Sequence, residues 1–127
     1  MASVGLSESK ADEQGLKFHV KHEMTSGWYQ SRRVAEAYSG YKVPVEEESG
    51  KILGAHLFGS GAEEVINLFA VAMRSGMRAS DLKHMLLAYP KHGSDVPCML
   101  WFAKRFTYGI HWPHVLITST IFLKSSP

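Results

Sequence analysis

The run AEEVINLFAVAMRSG, residues 62–76, constrains the fold more than any other stretch. Glu63 and Glu64 open it and Arg74 closes it, an order that suits a helix dipole, and Gly76 supplies the usual left-handed stop. Between those ends Asn67 is the one polar interruption. A stripe of Ala62, Val65, Phe69 and Met73 can pack on a sheet, which leaves Ile66, Leu68 and Val71 in need of other cover. Each apolar side chain left in water forgoes about 1.5–3 kcal/mol. A chain of 127 residues has little to spare for that task, so the helix points to a partner.

The flanking segments supply a sheet for the helix to sit on. Residues 41–48 and 51–58 read as two strands joined by a turn at Ser49 and Gly50, an antiparallel hairpin. Pro44 cannot donate to a ladder and places its strand at an edge or a bulge. The second strand is apolar on both faces and is expected to be central. Ser60 and Glu63 have the spacing of a capping box. After Gly76, Ser80 is expected to cap a second helix in which Leu82, Met85, Leu86 and Tyr89 recur at helical spacing up to Pro90.

Upstream, Val4 to Leu6 make a short strand, and Ser7 caps a short helix that stops at Gly15. Residues 16–24 alternate, with Leu16, Phe18, Val20, His22 and Met24 on one face and Lys17, His19, Lys21 and Glu23 on a wet one. On this reading His22 is a packed, hydrogen-bonded histidine, and His19 and His22 point to opposite sides, so they make no metal pair. Residues 25–40 read as a solvated connection. Its Trp28, Tyr29, Arg32 and Arg33 offer too few phosphate contacts for nucleic acid.

Composition excludes several classes. A hydrophobic share of 45% with 20% charged residues suits a globular chain, and a net charge of +2 gives no case for nucleic acid. The single cysteine, Cys98, allows no intrachain disulfide and suits a reducing compartment. No run approaches the roughly 18–20 apolar residues of a membrane span, and the first residues lack a signal-peptide core, so the expected location is the cytoplasm.

Three segments in order, VGLSE, SGKILGAHLFGSGAEEVINLFAVAMRSGM and DLKHMLLAYP, resemble the C-terminal dimerisation domain of the FAD-dependent pyridine nucleotide-disulfide oxidoreductases, the group of glutathione reductase, dihydrolipoamide dehydrogenase and mercuric reductase. The resemblance spans residues 1–100. It implies an α+β fold, an antiparallel β-sheet with helices packed on it, and a homodimer. The interface it implies is built on Glu64, Val65, Ile66, Leu68, Phe69, Val71, Ala72 and Met73. It also implies a parent enzyme whose FAD and NAD(P)H sit in other domains, with the start of this chain cut short relative to that parent.

Three departures shape the expected function. The GSG at residues 59–61 lacks the G-x-G-x-x-G pattern of a dinucleotide loop, so no cofactor-binding residue is assigned, and the family's CxxxxC redox pair is missing. The family's HP-plus-glutamate motif is replaced by YPKHGSD, with Tyr89 in place of the histidine. A phenol is a poor proton carrier near neutral pH, so Tyr89, His92 and Asp95 are only weak catalytic candidates, and Tyr89 is expected to pack on the sheet with its hydroxyl wet. The tyrosine resembles the mercuric reductase branch, but that branch passes the metal through vicinal cysteines and Cys98 stands alone. The expectation is therefore an interface domain without catalysis of its own. The alternative is a subunit that completes the active site of an FAD/NAD(P)H-dependent flavoprotein, with Tyr89 and Asp95 facing that site.

Residues 101–127 leave the resemblance. They are rich in aromatics, end in a β-prone run, and read as a frameshifted or fused tail expected to pack over the sheet. His111 and His114 lack a third ligand, so no metal site is assigned; a membrane-surface role for Trp101, Phe102, Lys104, Arg105 and Phe106 is weak for want of charge.

Overall fold

A computed structural model describes residues 1–101 of the chain. Apart from Trp101, the tail expected to cover the sheet lies outside the described residues. The elements run β1 (Ala2–Gly5), α1 (Glu8–Glu13), β2 (Phe18–Met24), α2 (Tyr29–Arg33), β3 (Gly40–Glu46), β4 (Gly54–Phe58), α3 (Ala62–Arg74), α4 (Ala79–Lys83), a 3-10 turn (His92–Asp95) and α5 (Val96–Met99). The four strands form one antiparallel sheet in the order β1-β4-β3-β2, so the fold is the α+β arrangement expected from the sequence.

The hairpin of β3 and β4 forms the middle of the sheet, and β3 is therefore not an edge strand. The pairing slips by one residue beside Pro44. Lys42 faces His56, but Val45 faces Ile52, so Gly54 and Ala55 oppose the single residue Val43 in a β-bulge. The Pro44 carbonyl accepts from the Leu53 amide at 2.9 Å. The carbonyl of Leu53, which an ordinary residue at 44 would have donated to, instead takes the amide of Leu6 at 2.8 Å. The missing proline N–H thus leaves no acceptor unmet.

Helix α3 lies across β1 and β4 and closes one face of the sheet. Its Ala62, Val65, Phe69 and Ala72 are buried against Tyr41, Val43, Val45, Ile52, Ala55 and Leu57. Helix α1 belongs to the opposite face. Its Ser7 cap accepts from the Lys10 amide at 3.3 Å as the sequence predicts, its Ala11 is fully buried, and Glu8 pairs with Lys42 at 2.9 Å.

Several local expectations are corrected. In β2 neither face is buried: His19, Lys21 and Glu23 stand beside the buried Val45, Val43 and Tyr41 but are half-buried or exposed, Phe18 and Val20 are half-buried on the α1 side, and His22 and Met24 are exposed there. His22 is therefore not a packed histidine. Among the described residues the strand is an edge strand on the far side of the sheet from β1 and β4, where α3 lies, so its α3-side positions do not need to be apolar. The connection 25–40 is not simply solvated, because Thr25, Gln30, Ser31 and Ser39 are buried.

The cap of α3 is Gly61, in the left-handed region at φ 73°, and not Ser60. The next helix is capped by Arg78, whose amide donates to Asp81 Oδ2 at 2.8 Å, and not by Ser80. That helix ends at Lys83, so Met85, Leu86 and Tyr89 do not form the expected stripe, and Leu86 is 100% exposed. Its stop carries a local competitor for the helical bonds, since His84 Nδ1 lies 2.6 Å from the Ser80 carbonyl.

Candidate functional site

The eight residues expected at an interface divide between two sides of α3. Val65, Phe69 and Ala72 are buried in the chain's own core and cannot meet a partner. Ile66, Leu68 and Met73 are half-buried and pack against that core. Leu68 in addition reaches the 3-10 turn, where a Cβ at Gly93 would stand 3.3 Å from its Cδ1. Glu64 and Val71 remain outside, with Val71 63% exposed among Asn67 and Arg74. The helix is thus more amphipathic than its composition suggests, and its outward side is one aliphatic residue set among polar ones.

The 89–95 segment brings two of its three candidates together. His92 and Asp95 open and close the 3-10 turn, are both half-buried, and border one small cavity at the start of α3. The His92 ring fills the space beside Gly61: a Cβ there would fall 2.5 Å from the ring's Cγ. Burial pushes the Asp95 carboxyl above its ordinary range, and the nearby His92 pulls it partly back. Tyr89 stands apart. It is 75% exposed and does not pack on the sheet; its ring lies 6.2 Å from that of Tyr29, tilted by 32°. The shortened helix α4 explains this, since residues past His84 no longer follow a helical path back to the core.

The GSG loop does not suit a dinucleotide phosphate. The Ser60 amide already donates to both oxygens of Glu36, at 2.7 and 2.9 Å. Cβ atoms at Gly59 and Gly61 would run into Ser39 and His92, so the small residues serve close packing within the chain. An anionic phosphate would have to displace a carboxylate that holds the same amide. The residues present therefore do not fit FAD or NAD(P)H here.

Sequence reasoning missed the polar group under α2. Thr25 Oγ1 donates to Ser39 Oγ at 2.9 Å, and the Ser31 and Ser39 hydroxyls lie 2.8 Å apart. Gln30 beside them is 2% exposed. The available signal was Gln30 and Ser31 placed between Tyr29 and a basic pair, where a helical turn has one inward side. On the α1 side of the sheet, Ser3, His56, Lys42 and His22 form a row across all four strands and floor an open groove of about 690 Å³. Among the described residues no group of three His, Cys, Asp or Glu side chains is placed to hold a metal ion, and no helix is long and apolar enough to cross a membrane.

Comparison with known proteins places this geometry. Residues 1–98 match the family described as the pyridine nucleotide-disulphide oxidoreductase dimerisation domain. A 19.7 kDa uncharacterised protein in a mercuric resistance operon of Staphylococcus aureus is 42% identical over 100 residues, covering 79% of this chain and 56% of that protein. The dihydrolipoyl dehydrogenase of Rhizobium etli is 32% identical over 90 residues, which cover 71% of this chain but 19% of the enzyme. In fold, the chain is similar to the HOCl-induced flavoprotein disulfide reductase RclA of Escherichia coli, with a TM-score of 0.76, 22% identity, and coverage of 80% of this chain and 23% of that one.

Proposed function

The chain belongs to the pyridine nucleotide-disulphide oxidoreductase dimerisation-domain family, and from that premise we propose that it is an interface module that pairs with a second copy of itself and has no catalysis of its own. The observation that carries this reading is Val71, an aliphatic side chain 63% exposed at the centre of the outward side of the longest helix. Glu64 and Arg74 border it with opposite charges. A dyad placed across this side would set Glu64 of one copy near Arg74 of the other, a favourable rim for an antiparallel helix pair. FAD and NAD(P)H belong, on this reading, to the larger proteins of the family and to domains other than this one. A cytoplasmic setting accompanies it, since an exposed free thiol such as Cys98 persists under reducing conditions.

Sedimentation of the full 127-residue chain tests the proposal. A dimer is expected, converted to a folded monomer by Val71→Arg. A wild-type chain that sediments as a monomer at every concentration removes this reading.

One observation favours a second reading. Tyr89 is held outward in the segment that resembles the family's active-site contribution, with Tyr29 beside it and Asp95 a few residues on. In that case the chain would present Tyr89 to a flavoprotein lacking such a domain. Adding the chain to such a flavoprotein would raise its NAD(P)H-dependent disulfide reduction, and Tyr89→Phe would cancel the gain. An unchanged rate sinks this second reading and leaves the dimer untouched.

A further inference from the structure

We propose that the small cavity beneath α2 is a hydration site, in which ordered water bound to the Gln30 amide couples α2 to the His92–Asp95 turn. Gln30 is 2% exposed, and among the described residues neither its Nε2 nor its Oε1 has a hydrogen-bond partner. Buried amides are almost always paired, so an amide with both ends unmet marks a missing partner. Gln30 borders a cavity of about 40 Å³ together with Thr25, Ser31, Ser39, His92 and Asp95.

The occupant follows from what the amide requires. Nε2 donates and Oε1 accepts. A cation would leave Nε2 unmet and an anion would leave Oε1 unmet, so the occupant must both donate and accept. The three hydroxyls are already chained through Ser39, at 2.9 Å from Thr25 and 2.8 Å from Ser31, but keep lone pairs for a further donor. A water molecule takes about 30 Å³ in the liquid and needs two to four polar partners, and both conditions are met at this site. A larger organic ligand does not fit a space of about 40 Å³.

The site joins separate parts of the chain. Gln30 lies in α2, Ser39 leads into β3, and His92 and Asp95 belong to the turn after the Tyr89 segment. Water there gives α2 and the turn a shared polar contact where Gln30 makes no direct bond to a described residue.

A crystal structure of the full wild-type chain at a resolution that shows solvent tests the site. The expected result is at least one water within hydrogen-bond distance of Gln30 Nε2 or Oε1. A dry cavity, or a Gln30 amide bonded directly to protein atoms, overturns the proposal. Gln30→Met provides the second measurement. Without the amide the water is lost, and amide exchange protection across residues 92–95 falls roughly tenfold. Unchanged protection there refutes the coupling, and if that variant does not fold, a wild-type water that bridges Gln30 to the His92–Asp95 turn supports the coupling and one that does not reach the turn refutes it.

Discussion

The Glu36 carboxylate grips the Ser60 amide with both of its oxygens, at 2.7 and 2.9 Å. This contact ties the segment after α2 to the loop that opens α3 and takes the place of the cap that the Ser60 hydroxyl was expected to make. Glu36→Ala is expected to cost about 1–2 kcal/mol, the range for a charge-assisted bond that is half exposed. Ser60→Ala should stay within about 0.5 kcal/mol, because the hydroxyl caps nothing. Urea unfolding of the two variants separates them, and a larger loss from Ser60→Ala would contradict the arrangement.

The two sides of α3 predict opposite phenotypes. Phe69 is fully buried under the sheet, so Phe69→Ala should remove about 3–5 kcal/mol and show as a lowered urea midpoint at any protein concentration. Val71→Asp should leave the stability of the isolated fold within about 0.5 kcal/mol and change only the association state. Unfolding followed at two protein concentrations distinguishes a core effect from an interface effect. Equal losses in both variants would mean that Val71 belongs to the core.

Gly54 is fixed by its neighbour and not by its dihedral. A Cβ there would lie 2.2 Å from the Leu6 carbonyl oxygen, a backbone atom of the segment paired alongside β4. Gly54→Ala must push the β1 segment away from β4 and is expected to cost about 3 kcal/mol, the upper part of the overpacking range. Differential scanning calorimetry would register the loss. A variant as stable as the wild type would show that β1 yields freely.

Asp95 makes stability depend on pH. Its folded carboxyl titrates above the ordinary value of 3.8 because burial disfavours the charge. A raised pKa means that its favourable contribution is complete below that value and is lost as pH rises through the folded pKa. Asp95→Asn should therefore be more stable than the wild type at pH 7 and lose that advantage below about pH 4. Denaturation at both pH values checks the sign, and an advantage of equal size at both would assign the effect to packing.

The sheet and the main helix were legible because they rest on long apolar patterns. The alternation of residues 51–58 and the stripe of Val65 and Phe69 could not be satisfied in water, and both proved central. What failed depended on tertiary neighbours. Ser60 carried the right side chain for a cap, but Glu36, remote in sequence, reached the amide. In β2 the alternation was real, but the strand lies away from β1 and β4, where α3 packs, and neither of its faces is buried. Leu82, Met85, Leu86 and Tyr89 kept helical spacing, yet only Leu82 found a core to enter. Of the candidate site, His92 and Asp95 were near one another in sequence and stayed so in space. Gln30 gave almost no signal, since a buried amide is identified by what lies around it.

The proline in the middle of the sheet leaves one carbonyl of the central hairpin free for the first strand. In the observed register position 44 faces the Leu53 carbonyl with a nitrogen that bears no hydrogen, and it is the Leu6 amide that satisfies that carbonyl. The diverted Leu53 carbonyl then becomes the anchor for Leu6, and the first strand inherits its alignment from a residue some forty positions away. The hairpin is in this sense keyed: one imino acid opens a slot in its ladder, and β1 is aligned in it.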